Sequence, residues 1–307
     1  KEELDILSPI MTDRRADKVD RGALIFVHGG GWVAVNREVM SQSVTPFVRA
    51  GYTVYSIDYP LAPEDRFPTA LISVLRATAW IKQRTGEATV TLVGDSAGGN
   101  LATMAAAVLS NKSKLLNMIC LAEKTSLGLK GIGVDGNGVA VSASAATSVT
   151  MAAGNPHSDF DSVLDLQTAP ACTVEEWDFP SVSRVVSMYG VVDSQAWRSP
   201  LMPSDGIDTL LLQLMWNGTA TLLDFCFTCY APPPGTPTAE LAIAKHLTLG
   251  DLLMCSGVAE HTEDTPRIGI GIEAYPPTLL ICGSADPLVR ANRKVHELLV
   301  KRLGVSC

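Results

Sequence analysis

A serine flanked by glycines is the strongest candidate for a reactive group in this sequence. The segment Gly94-Asp95-Ser96-Ala97-Gly98 fits the pattern G-x-S-x-G. It follows an apolar run that predicts a strand and precedes an Ala-rich run that predicts a helix. In such a strand-to-helix turn the serine hydroxyl projects above the sheet, where it can attack a carbonyl carbon. The same pattern also occurs in glycine-rich turns without catalytic function, so it needs support from other residues.

That support comes from a run of glycines nearer the start of the chain. His28-Gly29-Gly30-Gly31-Trp32 directly follows the apolar run 23–27. Because glycine has no Cβ, the backbone N–H groups of such a run can approach the negatively charged oxygen of a tetrahedral intermediate, and Ala97 supplies a further N–H. A phosphate-binding turn is the alternative, but no G-K-[ST] follows and the G-x-G-x-x-G spacing is absent.

The apolar pattern predicts the elements that position these two turns. Five short runs without alternation indicate strands buried on both faces of a parallel sheet: 23–27, 53–57, 89–93, 184–189 and 278–282. Between these strands, the apolar patterns of 71–81 and 101–109 predict helices. A last helix is expected over 288–303 with Gly304 as its C-cap. Strands alternating with helices predict an α/β fold with a doubly wound, mostly parallel sheet.

Two long segments interrupt this alternation. Residues 112–180 contain a Gly-rich patch and a Ser/Ala/Thr tract, which predict a poorly ordered, low-complexity insertion. Residues 199–276 combine an apolar half with a Pro-rich hinge and an Ala/Leu segment, which predict a cap or lid between two strands of the sheet. We therefore expect residues 1–307 to form one domain with these two excursions.

Four motifs in this order resemble the hormone-sensitive-lipase-like family of α/β-hydrolases. They are His28 to Trp32, Tyr59 to Glu64, Gly94 to Ala102 and Gly283 to Leu288, and the resemblance covers about the blocks 22–110, 181–198 and 275–304. It implies a sheet of the α/β-hydrolase type with an inserted cap, and hydrolysis of carboxylic esters by a Ser/Asp/His triad without cofactor or metal. It also implies that Ser96 is the nucleophile, Asp286 the triad acid, and Gly30, Gly31 and Ala97 the oxyanion donors.

The acid has an argument from position as well. Asp286 falls just beyond the predicted strand 278–282, at the edge of the sheet where functional groups gather in open α/β folds. Asp193, at the end of the preceding predicted strand, is its rival. Asp286 followed by Pro287 is also a good helix start, so a purely structural capping role is the alternative.

The triad base has no evident candidate. The histidines are His28, His157, His246, His261 and His296. Triad order requires a histidine after the acid. Only His296 follows Asp286, ten residues on and inside the predicted helix, where a rise of about 1.5 Å per residue carries it away from the loop. We expect a surface position for His296 and a triad histidine beyond Cys307, in a domain cut at both ends. The chain as it stands is then expected to turn over esters feebly or not at all.

Two other functions remain open at this stage. One is a non-catalytic receptor for a small carboxylate ligand on the same scaffold, in which Ser96 and the glycine run hold the ligand. The other keeps the chemistry but cleaves amides, as deacetylases and formamidases do. In each case the expected partner is a small molecule.

Composition excludes several classes of protein and suggests a compartment. A net charge of −8 argues against nucleic acid as a partner. The apolar stretch 207–230 contains Asn217 and Asp224, so we predict no integral membrane segment. Seven scattered cysteines favour a reducing compartment and hence a cytoplasmic location. Cys226 and Cys229 form a C-x-x-C pair among aromatic residues, which favours buried structural thiols over a metal or redox site.

Overall fold

The computed structural model describes residues 4–7, 20–127, 133–134, 140–141, 177–195, 210–255 and 272–307. The strands are β1 Leu4–Leu7, β2 Ala23–Val27, β3 Thr53–Ile57, β4 Thr89–Asp95, β5 Gly133–Val134, β6 Ala140–Val141, β7 Ser181–Met188 and β8 Thr278–Ile281. The helices are α1 Ser41–Arg49, α2 Thr69–Thr85, α3 Ala97–Ser110, α4 Asn117–Ser126, α5 Leu210–Tyr230, α6 Pro237–Glu240, α7 Leu249–Cys255 and α8 Val289–Leu303.

The central sheet has six strands in the order β1-β3-β2-β4-β7-β8. The last five of these run parallel to one another, while β1 pairs antiparallel with β3 at one edge. The mostly parallel α/β sheet is therefore confirmed, and each of the five strands predicted from apolar runs is present within a few residues of its expected bounds. Parallel strands align their carboxyl ends, so the turns after β2, β4, β7 and β8 meet at one edge of the sheet.

Helices cover the sheet on both faces, which explains why the central strands lack alternation. Buried residues of α2, α3, α4, α7 and α8 form the larger core with one face of the sheet. On the other face Val44 of α1 packs with Leu24, Phe26 and Val93. All five residues of β2 are buried as a result. The last helix also behaves as expected, because α8 ends at Gly304 in a left-handed conformation with φ +63°.

The poor order expected from Lys112 onward does not hold for the start of that segment. Residues Lys112–Leu116 form a π-helical turn that continues α3, and α4 follows it directly. Ile119, Cys120 and Ala122 of α4 are buried in the core. The burial of this apolar face stabilises a short helix here, and the low-complexity sequence begins further along the chain. Most of the remaining residues up to Pro180, including the Ser/Ala/Thr tract, lie outside the described residues.

The elements that were not predicted from the sequence include α1 and β1. The helix α1 contains Pro46, which removes a backbone donor from the helix interior and so argues against a helix on sequence grounds. The strand β1 has four residues, too few for a period to be recognised. In the proposed cap, α5, α6 and α7 are helical, whereas 199–209 and 256–271 lie outside the described residues. Among the helices that are described, none is both long enough and apolar enough to cross a membrane.

Candidate active site

Ser96 lies on a strained turn between β4 and α3. Its backbone has φ +50° and ψ −118°, a conformation that costs a non-glycine residue of order 1 to 3 kcal/mol. Two backbone hydrogen bonds to the end of β7 hold the turn, since Ser96 N–H donates to Met188 O at 2.9 Å and Val191 N–H donates to Ser96 O at 3.1 Å. The strained turn predicted from G-x-S-x-G is therefore present.

The close approach of α3 to β2 explains the glycine two residues after the serine. A Cβ built on Gly98 would lie 2.0 Å from Val27 O and 2.5 Å from His28 O. No side chain fits there without moving the end of β2. The glycine therefore allows the first turn of α3 to sit against the start of the loop that follows β2.

That loop carries the glycine run, and its conformation depends on Gly30. Gly30 has φ +109°, and its carbonyl accepts the N–H groups of Val33 and Ala34 at 3.1 Å each. The amide N–H groups of Gly30, Gly31 and Ala97 have no acceptor among the described residues. Because backbone donors in a folded protein are almost always paired, three such amides near a serine turn are available to a bound oxygen.

His28 holds this loop through contacts of its ring and of its backbone carbonyl. Its ring stacks on Tyr59 with centroids 4.4 Å apart, and its Nε2 lies 3.5 Å from Asp58 Oδ1. The Tyr59 hydroxyl donates to His28 O at 2.9 Å. Arg37 forms an ion pair with the same Asp58 carboxylate. These contacts give the His28 side chain a structural role in the loop.

Asp58 was not singled out from the sequence, and its ionisation contributes to the stability of the loop. Burial opposes the charged form, but the hydrogen bonds from His28 and Arg37 outweigh it and hold the pKa of Asp58 below its usual value. A carboxyl whose pKa is lower in the folded state stabilises that state above its unfolded pKa of about 3.9, and loses this contribution as the pH falls through the folded value.

We therefore expect Asp58→Asn to lower the free energy of unfolding by about 2 kcal/mol at pH 7. The difference from the unaltered protein shrinks as the pH falls below about 4, because both then carry an uncharged group. Urea unfolding at pH 7, 5 and 3 measures it. Asp178→Asn is the matched control, because Asp178 is 82% exposed in its ion pair with Lys82. An effect of Asp58→Asn that is constant with pH would contradict this assignment.

Asp95 connects the glycine loop with the end of β7. Its Oδ1 accepts Gly29 N–H at 2.9 Å, and its Oδ2 accepts the Tyr189 hydroxyl at 3.4 Å. Burial raises the pKa of Asp95, and the Gly29 amide opposes that rise. Tyr189 has φ +41°, a strained value for a bulky residue, and the residue is 39% exposed. Tyr189 was missed by the sequence analysis, because it is the last residue of the predicted strand 184–189 and its position there was the only signal that could have selected it.

Asp286 lies on the loop between β8 and α8, at the edge of the sheet expected for a triad acid. Its Oδ1 accepts Leu288 N–H at 2.7 Å, so one oxygen has the capping role that was the alternative interpretation. The Cys282 thiol donates a hydrogen bond to the same carboxylate; burial, with the charge of Asp286, raises the pKa of that thiol to about 12. The carboxyl group is partly exposed. Capping and a further hydrogen bond can therefore coexist at this residue.

The rival acid Asp193 is engaged elsewhere. It is 2% exposed, its Oδ1 accepts Gln195 N–H at 2.9 Å, and its Oδ2 lies 2.5 Å from Lys294 Nζ. A carboxylate buried against a lysine of α8 serves that ion pair. The geometry therefore favours Asp286 over Asp193 as a group that can face a substrate or a base.

A buried amide fixes the helix behind Asp286 relative to the serine turn. Asn292 of α8 donates from Nδ2 to Gly190 O at 3.1 Å. Gly190 stands between Met188 and Val191, the two residues whose backbones bond Ser96. The position of the β8–α8 loop is thus tied to the nucleophile turn through the end of β7.

The described histidines include no evident base. His296 is exposed on α8, as expected from the sequence. His246 lies on the loop before α7, where Asp251 and Lys245 are charged neighbours and burial lowers the pKa of its ring. His157 and His261 lie outside the described residues. The described part of the chain also holds no group of three or more His, Cys, Asp or Glu side chains arranged to bind a metal ion.

The last turn of α5 packs on the glycine loop. Trp32 stacks on Tyr230 with ring centroids 4.7 Å apart. Phe227 packs edge-on against the same indole, with ring centroids 5.9 Å apart. Phe67 N–H donates to Tyr230 O at 2.8 Å. The predicted cap segment therefore contributes a wall to the region around Gly31 and Trp32.

Comparison with known proteins agrees with this architecture. Residues 24–132 match a family model described as alpha/beta hydrolase fold. A stretch of 92 residues is 40% identical to hormone-sensitive lipase from Mus musculus, over 26% of this chain and 12% of the lipase. A stretch of 79 residues is 38% identical to a protein named FAD-linked oxidoreductase pytB from Aspergillus terreus, over 25% of this chain and 10% of that protein. The chain spans about a tenth of the length of these two curated relatives.

Among solved structures, an esterase from the bacterial hormone-sensitive lipase family superposes with a TM-score of 0.54 at 16% identity, covering 99% of this chain and 72% of that one. At this identity the superposition supports the fold alone. The family model adds evidence from the sequence, since the segment that it matches contains both the glycine run and the serine turn. Over residues 24–132 the chain is therefore similar to proteins of the alpha/beta hydrolase fold, and a 92-residue stretch is similar to hormone-sensitive lipase.

Proposed function

We propose that the whole protein hydrolyses carboxylic esters through an acyl-enzyme intermediate on Ser96. The observation that carries this proposal is the strained turn that presents Ser96 next to the glycine loop, whose Gly30 and Gly31 amides, like that of Ala97, have no acceptor among the described residues. A site with a serine hydroxyl and such backbone donors is suited to acyl transfer.

In the first step Ser96 Oγ attacks the ester carbonyl carbon, and its proton passes to a base. The carbonyl oxygen becomes an oxyanion and accepts hydrogen bonds from the amides of Gly30, Gly31 and Ala97. These amides are fixed before the substrate binds, so they stabilise the developing charge without reorganisation. Collapse of the tetrahedral intermediate breaks the bond to the alcohol oxygen, which takes the proton from the base.

In the second step water attacks the acyl group on Ser96, and the same base accepts the proton of that water. The carboxylic acid is released and Ser96 Oγ regains its proton. We assign Asp286 to the orientation of the base, because its carboxylate lies at the correct edge of the sheet while Asp193 is held by Lys294. The proposal places the base outside the described residues, since His28 is paired with Asp58 and His296 is exposed on α8.

A second candidate function is supported by that same arrangement of histidines. Without a base, the amides of Gly30, Gly31 and Ala97 would form a binding site for a carboxylate group rather than a catalytic site. The protein would then be a receptor for a small carboxylic acid, with Ser96 as a hydrogen-bond donor to the ligand.

Hydrolysis of p-nitrophenyl butyrate by the whole protein separates these functions. We expect release of p-nitrophenol, and a loss of about 10³-fold or more in kcat/KM for Ser96→Ala. Ser126→Ala is the matched control, because Ser126 is exposed at the end of α4 and its hydroxyl bonds only the local backbone atom Glu123 O among the described residues. p-Nitroacetanilide, assayed in parallel, tests the amide substrate that the same chemistry allows.

Absence of turnover for both substrates, together with saturable binding of butyrate that Ser96→Ala weakens, would replace the esterase with the receptor. Equal hydrolysis by Ser96→Ala and the unaltered protein would place the reaction at another residue. Measurements of bound butyrate by calorimetry and of p-nitrophenol by absorbance distinguish these outcomes.

A further inference from the structure

Two thiols stand one turn apart at the end of α5. Cys226 is buried with 5% exposure, and Cys229 is partly exposed. Residues three apart share one face of a helix, so the two side chains are neighbours. The charge of a Cys229 thiolate acts on Cys226, which places the two sulfur atoms within electrostatic reach of each other.

Cys226 also touches the glycine loop. A Cβ built on Gly31 would lie 2.7 Å from Cys226 Sγ and 3.1 Å from Cys226 Cβ, so the cysteine side chain fills the space beside that glycine. In the same helical turn, Phe227 and Tyr230 pack on Trp32, the residue after Gly31. A displacement of this turn therefore acts on the backbone of the glycine loop at Gly31.

We propose that Cys226 and Cys229 form a dithiol site that is oxidised to an intramolecular disulfide, and that this oxidation disrupts the conformation of the glycine loop at Gly31. The dithiol site and its effect on the loop stand on the contacts above. The consequence for catalysis, an oxidised form that hydrolyses esters more slowly, rests on the function proposed for the Gly30 and Gly31 amides.

The coupling follows from the geometry of a helix. Cβ atoms three residues apart in a helix are about 5 to 6 Å apart. A disulfide brings its two Cβ atoms to about 3.5 to 4.5 Å. The bond between Cys226 and Cys229 therefore forms only if the last turn of α5 rearranges. That turn is near the helix end at Tyr230, where few backbone hydrogen bonds must open.

The exposure of the two thiols sets the order of the reaction. Burial raises the pKa of Cys226, which lowers its thiolate fraction, so the more accessible Cys229 reacts first. Its thiolate attacks a small-molecule disulfide such as glutathione disulfide, forms a mixed disulfide and releases one thiolate. Cys226 then loses its proton and attacks Cys229 Sγ, which releases the second thiolate. The dithiol loses two electrons and two protons, and the glutathione disulfide becomes two molecules of glutathione.

The experiment equilibrates the protein with defined ratios of glutathione disulfide to glutathione. Free thiols are then alkylated, and the peptide that contains Cys226 and Cys229 is weighed by mass spectrometry. Deuterium uptake of the peptide spanning 28–35 is measured on the same samples, and p-nitrophenyl butyrate hydrolysis is assayed beside it. Cys229→Ser removes the attacking thiol. Cys307→Ser is the matched control, since Cys307 is an exposed thiol outside α5.

We expect oxidising ratios to yield an unalkylated peptide two hydrogens lighter, and to raise deuterium exchange at 28–35 about tenfold through local opening. Dithiothreitol reverses both changes, Cys229→Ser abolishes them and Cys307→Ser retains them. If the reduced protein has no hydrolytic activity, the proposed function fails while the mass and exchange still test the dithiol site.

Three outcomes would overturn the inference. The first is full alkylation of Cys226 and Cys229 at every ratio. The second is a glutathione adduct that stays on Cys229. The third is a Cys226–Cys229 disulfide that leaves deuterium exchange at 28–35 unchanged.

Discussion

Gly98→Ala is expected to destabilise the protein by about 3 kcal/mol or more, near the upper end of the usual range for inserting a methyl group into a filled space. The added Cβ would lie 2.0 Å from Val27 O and 2.5 Å from His28 O. Neither atom can yield easily, because both belong to backbone at the end of a central strand. The methyl group would push α3 away from β2 and, with it, Ser96 away from the glycine loop.

Gly218→Ala is the matched control, because it adds the same methyl group to another helix. A Cβ at Gly218 of α5 would meet no described atom within 4 Å outside its chain neighbours and the backbone of its own helix. Alanine is favoured over glycine in a helix interior, so this change should stabilise the protein by about 0.5 to 1 kcal/mol. Urea unfolding of the two variants and the parent protein measures the difference. Equal effects of the two changes would refute the close approach of α3 to β2.

The sheet could be predicted from the sequence because its strands are buried on both faces. An uninterrupted apolar run such as Ala23–Val27, followed by a glycine turn, is typical of an interior strand of a parallel sheet. The serine turn and the glycine loop were predictable for a related reason, since their backbone conformations demand glycine at fixed spacings. What these features share is a local cause that is visible in a few adjacent residues.

The parts that could not be predicted depend on contacts between distant segments. Asp58 contacts His28 although 30 residues of chain separate them, and Cys226 of α5 lies beside Gly31 although the two are still further apart in sequence. The helix α4 was masked by the low-complexity sequence that follows it, although its buried residues match the core. In each case the side chain's partner is set by the assembled fold rather than by its neighbours in sequence.

Trp32 shows how such distant contacts sustain strain at the site. It has φ +62°, in the left-handed region that costs an L-residue about 1 to 2 kcal/mol. Its side chain is 1% exposed and packs on Tyr230, Phe227 and the surrounding core. The packing of the indole must outweigh the backbone strain, so the two contributions can be separated by substitution.

Trp32→Ala removes the packing and keeps the strain, and should cost about 3 to 5 kcal/mol of the free energy of unfolding. Trp32→Gly removes the packing but also relieves the strain, so it should be about 1 kcal/mol more stable than Trp32→Ala. At Trp80, inside α2 and packed on Tyr55, the order should reverse, since glycine is the less favourable residue in a helix. Guanidinium unfolding of the four variants gives both differences.

If glycine were the less stable replacement at both positions, the left-handed backbone at Trp32 would not be strained, and the conformation of the loop would be independent of the indole. The expected reversal instead means that the cap residues Tyr230 and Phe227, through Trp32, help to hold the glycine loop in a backbone conformation that it would not keep alone.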